Sequence, residues 1–290
     1  MDERAALGLL EEELDPAGDD AAVVDGQVLT TDMLHETTDF PAGTTRYTAG
    51  WRAVGASLSD VAAMGAAATA AVAVYAAPRF DEEELLAFVR GASEVCELVD
   101  ARYVGGDLDE HAEFTTATTA LGVTDEPVRR SGARPGDRVC VTGTLGRSAA
   151  ALELFDRGAD EHANELFRFS PRVEAGLAVA PSATAMMDSS DGLARSLHQL
   201  AAASGCGFAI ESERVPVADE LAAVADDPQS ALETALTFGE DFELVFTAPG
   251  PALDDVRDDS PVAITELGAV VGDGVTMDDE PLADEGYGHG

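Results

Sequence analysis

Carboxylates framed by glycine, serine and threonine constrain this chain more than any other feature. They read Gly18-Asp19-Asp20, Thr30-Thr31-Asp32, Ser59-Asp60, Gly106-Asp107, Asp188-Ser189-Ser190-Asp191 and Gly239-Glu240-Asp241. Small flanking residues let a backbone come close to a ligand, so a carboxylate there can point into a site instead of into water. Carboxylates alone repel phosphate. Hard carboxylate oxygens suit Mg²⁺, and Mg²⁺ suits polyphosphate. The set therefore reads as a site for magnesium-dependent phosphoryl transfer.

What the chain lacks narrows the chemistry further. All 17 basic residues are Arg, against 56 acidic ones, for a net charge of -39. Without Lys there is no Walker P-loop, no kinase strand lysine and no Schiff base. Any cation on a phosphate is then Arg or metal. The charge is spread over the whole chain, which reads as adaptation to high salt. At about 1 M salt the screening length is roughly 3 Å, and self-repulsion becomes tolerable. Nucleic acid is not an expected partner, because no basic stripe exists to release counterions. No run is long enough for a membrane span and Met1 leads directly into charged residues, which points to the cytoplasm. Cys96, Cys140 and Cys206 lack metal-ligand spacing and read as buried thiols. The five histidines show no metal-binding spacing.

The 290 residues, 46 % of them hydrophobic, suffice for one large domain or two ordinary ones. The pattern predicts strands near 28–34, 67–77, 102–104 and 113–123, with helices over 44–66 and 81–100. Gly105-Gly106-Asp107 reads as a turn after a short strand. Residues 124–136, with two prolines and two glycines, mark a boundary between a first domain (1–134) and a second (135–290). The second half predicts strands near 137–142, 185–188, 207–212, 242–248, 262–270 and 274–277. Its helices are expected near 147–157, 161–168, 171–180, with Pro171 at the start, and 191–204. Two α+β domains with mixed sheets follow.

Each frame also has an ordinary reading. Asp188-Ser189-Ser190-Asp191-Gly192 stands between a strand and a helix. It is either a helix cap or a site where Asp188 takes metal while Ser190 and free N–H groups take phosphate. Thr30-Thr31-Asp32 is a polar strand end or a ligand set. Asp60 lies among Val61, Ala62, Ala63 and Met64, where an unpaired buried carboxylate is expensive. Arg130 is a surface residue or a phosphate fork.

In this order the frames are specific. The chain closely resembles the thiamine-monophosphate kinase family, within the superfamily that includes aminoimidazole ribonucleotide synthetase. The matching segments are Gly18–Val23, Thr30–Glu36, Leu58–Ala66, Gly105–Asp107, Arg130–Asp137, Val141–Ala150, Asp188–Leu193 and Gly239–Phe246. Arg130-Ser-Gly-Ala-Arg-Pro-Gly-Asp137 followed by Val141-Thr-Gly-Thr-Leu-Gly146 is especially specific.

The resemblance implies ATP-dependent phosphorylation of thiamine monophosphate, using several Mg²⁺ ions. It implies metal ligands at Asp20, Thr30, Thr31, Asp32, Asp60, Asp107, Asp188 and Asp191, with Asp32, Asp60 and Asp107 closest to the chemistry. Gly106, Asp107, Arg130 and Ser190 match nucleotide contacts. Glu240 and Tyr287 match substrate contacts. The implied fold is an N-terminal α/β domain whose sheet forms a barrel in a homodimer, joined to a C-terminal α/β domain. Asp39 replaces a usual substrate-contacting His, Leu108 a usual hydroxyl residue, Phe242 a usual Tyr and Phe238 a usual Gly. Two other readings stay open: a different enzyme of the superfamily, such as an aminoimidazole ribonucleotide or selenophosphate synthetase, and a non-catalytic acidic metal-binding protein. The selenophosphate reading wants an N-terminal reactive Cys, whereas the first here is Cys96.

Overall fold

The computed structural model describes residues 13–14 and 18–286. Two sheets organise it. The first comprises β1 (Ala22–Val24), β2 (Gln27–His35), β3 (Ala67–Ala77), β4 (Arg102–Glu110) and β5 (Thr115–Val123), in the order β1-β2-β5-β3-β4. Only β3 and β4 run parallel. Their connection needs a crossover, which is the helix Glu82–Leu98. The second sheet comprises β6 (Arg138–Thr142), β7 (Ala185–Asp188), β8 (Gly207–Ile210), β9 (Leu244–Ala248), β10 (Ile264–Val271), β11 (Val275–Met277) and β12 (Glu280–Pro281). Its order is β12-β11-β8-β10-β6-β9-β7, mixed because β8 and β11 pair in parallel. The expected mixed α/β class is the observed one.

The helices are α1 (Glu36–Asp39), α2 (Arg46–Ala63), α3 (Glu82–Leu98), α4 (Arg147–Asp156), α5 (Asp160–Phe167), α6 (Val173–Val179), α7 (Leu193–Ser204), α8 (Asp219–Val224), α9 (Pro228–Thr237) and α10 (Leu253–Asp259). Helix α2 is the axis of the molecule. Thr45 caps it by accepting from the Thr48 N–H, and nearly every residue from Thr48 to Ala63 is buried. A helix apolar all round must be covered all round. One side of α2 packs on β2, β3 and β5, and another on α6 and β7. Its small residues permit this. A Cβ on Gly50 would stand 2.2 Å from the Phe88 carbonyl oxygen of α3, and one on Gly91 would stand 2.0 Å from that of Tyr47. The two helices touch backbone to backbone.

The five-stranded sheet is open within one chain. Val28, Thr30, Ala71, Ala73, Thr118 and Ala120 face the helices and are buried. The other face leaves Leu29, Met33, Val72, Val74 and Val104 exposed.

Two local expectations need correction. Gly105-Gly106-Asp107 is not a turn, because β4 runs through it to Glu110. Both glycines have positive φ, and a Cβ on Gly106 would fall 1.6 Å from the Ala73 carbonyl oxygen. Gly106 serves close strand approach beside a register irregularity, while Gly105 faces open space and is set by its positive φ alone. Pro171 does not begin a helix, since α6 starts at Val173. Helices α1, α8, α9 and α10 had no expected counterpart. Among the described residues no helix is long and apolar enough to cross a membrane.

Candidate active site

Carboxylates from three segments converge where the two sheets meet across α2. Asp20 precedes β1, Asp60 sits on α2 and Asp188 ends β7. Each offers an oxygen within 4.8 Å of the others. Hydroxyls orient them. Thr30 Oγ1 donates to Asp60 at 2.5 Å and Ser59 Oγ donates to Asp188 at 2.7 Å. Asp32 accepts from Ser57 Oγ at 2.6 Å, and that oxygen lies 2.7 Å from Thr118 Oγ1.

One guanidinium answers the cluster. Arg130 forks onto Asp20 with Nε at 3.2 Å and Nη2 at 3.0 Å. The balance stays negative. Burial first, then the charges of Asp32, Asp188 and Asp20, hold Asp60 well above the ordinary carboxylate range. Burial, then the charge of Asp20, pushes Asp188 up to about 7. Burial also raises Asp32, with the Ser57 bond opposing it and the charge of Glu240 adding to it. The fold spends stability on bringing these groups together, which is the mark of a site.

A cavity of about 250 Å³ opens nearby. Phe40, Phe167 and Phe238 give it aromatic walls, while Asp39, Asp156 and Glu240 give it charge. Asp39 and Glu240, 201 positions apart in sequence, thus meet on one cavity. Asp39 accepts from the His35 N–H at 2.7 Å and from Thr38 Oγ1 at 2.8 Å.

The other expected residues divide. Ser190 stays with this centre, half-buried ahead of α7 with its side chain bonded to Asp188, whereas Asp191 beside it is not among the converging carboxylates. Thr31 points to the opposite face of β2 and donates to the Thr118 carbonyl at 2.8 Å. Gly106 and Asp107 lie on the edge strand. The cross-strand row from Asp32 runs through Thr118 and Ala73 to Gly106, three strand spacings or about 14 Å. Asp107 is exposed there and accepts from the Leu108 N–H at 2.9 Å. Tyr287 lies outside the described residues.

Sequence reasoning read Ser59 only as a small flank of Asp60 and missed Ser57, whose signal was spacing, three positions before Asp60 on a buried helix. It also missed Arg52, buried on the same helix and paired with Glu240 at 2.7 Å. That pairing spans 188 residues and no local pattern carries it.

Comparison with known proteins bears on all of this. Residues 18–124 match the N-terminal domain of AIR synthase related proteins, and residues 134–278 match their C-terminal domain. A thiamine-monophosphate kinase of Halobacterium salinarum is 62 % identical over the whole of both chains. One from Methanospirillum hungatei is 41 % identical, covering 100 % of this chain and 99 % of its own. Among solved structures, AaThiL complexed with AMPPCP and TMP superposes with a TM-score of 0.88 at 30 % identity, covering 98 % of this chain and 96 % of that one. The hydrogenase maturation protein HypE of E. coli, at 21 % identity and a TM-score of 0.73, shares the fold.

Proposed function

The chain belongs to the thiamine-monophosphate kinase family, and from that premise we propose that it transfers the γ-phosphoryl group of ATP to the phosphate of thiamine monophosphate. An acceptor phosphate oxygen bonds to the γ-phosphorus in line with the departing ADP oxygen, and the products are ADP and thiamine diphosphate. The observation that carries this reading is the under-compensated carboxylate cluster beside an aromatic, acidic cavity. The acceptor is a cation with two aromatic rings, and the phenylalanines and carboxylates of the cavity suit both properties.

The donor set fits Mg²⁺, being hard oxygen with excess negative charge that a dication relieves. Asp20, Asp60 and Asp188 would hold it, with Asp32 beside them and Thr30, Ser57 and Ser59 orienting the oxygens. Its contribution when bound is charge neutralisation on the transferring phosphoryl group. Ser190 and the first N–H groups of α7 suit phosphate oxygens. The acceptor phosphate, with a second pKa of roughly 6, is already ionised at neutral pH and hardly needs a general base. Positioning and charge relief then carry the rate.

We further infer a homodimer. The bare face bearing Leu29, Met33, Val72, Val74 and Val104 calls for a cover, and Gly106 and Asp107 are remote from the cluster of their own chain. A second copy on that face would close the sheet into a barrel and bring β4 to the partner's nucleotide. The division near residue 134 would then separate a dimerising half from a capping half. The selenophosphate alternative is disfavoured, since Cys96 is buried and its thiol is pushed up to about 12.

The test is a chromatographic assay of the protein with Mg²⁺, ATP and thiamine monophosphate in molar KCl. Equimolar ADP and thiamine diphosphate are expected. Folded protein that forms neither overturns the reading.

A further inference from the structure

The cavity wall is held from an unexpected direction. Arg52 leaves α2, crosses to the second sheet's side and is 3 % exposed. Its Nη2 donates to Glu240 Oε2 at 2.7 Å and lies 3.4 Å from the Glu240 carbonyl oxygen. Its Nη1 donates to the Phe167 carbonyl at 2.5 Å and reaches Ser148 Oγ at 3.3 Å. The guanidinium carbon stands 3.6 Å above the Phe167 ring centre, with Phe169 and Phe242 at 5.3 and 5.7 Å. Ser148 Oγ donates to the same Glu240 carbonyl at 2.6 Å.

The loop so gripped is strained. Glu240 and Phe242 have φ of 61° and 54°, which side chains other than glycine seldom adopt. The Glu240 N–H donates to the Ser190 carbonyl at 2.7 Å, tying the cavity wall to the loop ahead of α7. Arg52 and Asp60 share α2. They stand eight positions apart, about 12 Å along the axis.

We propose that Arg52 is a positioning residue for the acceptor: it fixes the Glu240 carboxylate and the Phe167 ring at a set distance from the carboxylate cluster carried by the same helix. A buried ion pair is weak evidence of stability, and a hydrophobic pair of similar volume does as well. A planar fork that stacks on a ring and bonds to both the end of α5 and the Glu240 loop fixes geometry that a point charge cannot. Lysine would keep the charge and lose the fork and the stack.

The inference rests on the acceptor assigned above. Its test compares wild type, Arg52→Lys, Glu240→Gln and the double variant. Arg52→Lys is expected to raise KM for thiamine monophosphate on the order of tenfold or more, with KM for ATP within about twofold. The double variant should be no worse than the poorer single, because both act through one contact. An unchanged acceptor KM, equal rises in both KM values, or additive losses would overturn the proposal. Ser148→Ala stands outside the cavity and slackens the same network. Should Arg52→Lys not fold, Ser148→Ala is expected to raise the acceptor KM alone by roughly two- to fivefold, and no rise overturns the proposal. If wild type makes no thiamine diphosphate, the acceptor assignment fails and the network is judged without substrate. Faster amide hydrogen exchange confined to residues 238–242 in Arg52→Lys then supports the positioning role. Exchange at the wild-type rate overturns it.

Discussion

Two groups of buried carboxylates, one gathered around Asp60 of α2 and one just ahead of β9, are solved differently. Glu243 is 2 % exposed, takes a fork from Arg172 at 2.7 and 2.5 Å, and accepts from Thr142 Oγ1 at 2.6 Å. Asp241 accepts from the N–H groups of Gly146 and Ser148 at the start of α4. Every charge there is answered by the protein. Asp20, Asp60 and Asp188 have Arg130 and the hydroxyls of Thr30, Ser59 and Ser190 among them. Burial raises Asp241 to about 7 just as it does Asp188. A raised carboxyl alone would therefore have marked a helix cap as a site. What separates the two groups is how much of the charge has a partner within the chain.

The largest effect is expected at Asp60. Asp60→Asn should lower turnover by roughly a thousandfold, about the several kcal/mol that a metal ligand contributes to transition-state charge. The same change should raise the melting temperature of metal-free protein at pH 8, since it removes a carboxyl that burial and acidic neighbours make costly to ionise. Loss of both activity and stability would mean that Asp60 is structural. On the answered side, Arg172→Met should cost about 3–5 kcal/mol by stranding Glu243, and Arg172→Met with Glu243→Gln should recover most of it. Denaturant unfolding distinguishes these, and a double variant no better than the single would show that the pair is more than mutual compensation.

Acid sharpens the contrast. Asp60, Asp188 and Asp241 hold protons in the folded state at pH values where the unfolded chain has lost them. The folded state thus binds more protons between about pH 4 and 7, and stability falls as pH rises through that window. In EDTA the melting temperature should drop from pH 5 to pH 7.5, and Mg²⁺ should reverse most of the drop. No reversal would remove the metal from the cluster. The smallest effect is expected from Ser59→Ala, which strips one bond from Asp188 and should cost about 1–3 kcal/mol with a modest loss of turnover.

Much of the site was legible because small residues flanking an acid leave a mark within a few positions. Asp20, Asp60 and Asp188 could each be nominated locally, and Asp60 stood out because its neighbours on the helix are apolar. What local reading could not supply was distance. Gly105-Gly106 looks like a turn, and only the approach of Ala73 shows it to be strand. Thr31 and Asp32 are adjacent in sequence yet take opposite faces of β2, as strand geometry demands. Arg52 looks like any helical arginine until Glu240 comes to it. Helices α8 and α10 are one or two turns long and carry little periodicity. The start of α9 was there to be read: Asp227 caps it, with Pro228 at the first position.

The 239–242 loop has a further consequence, for how the cavity can change. A Cβ on Gly239 would stand 2.3 Å from the Ser190 carbonyl oxygen and 2.6 Å from the Gly192 nitrogen. The residue cannot be exchanged without moving the loop ahead of α7. With Gly239, Glu240 and Phe242 all held at positive φ, that wall is closed to drift. The opposite wall, Thr37 to Pro41, belongs to the short helix α1 and its exit, with Thr37 and Thr38 open to solvent. New acceptor preferences should therefore be written at Thr37 and Thr38, where a side chain can be exchanged without disturbing the metal-facing half.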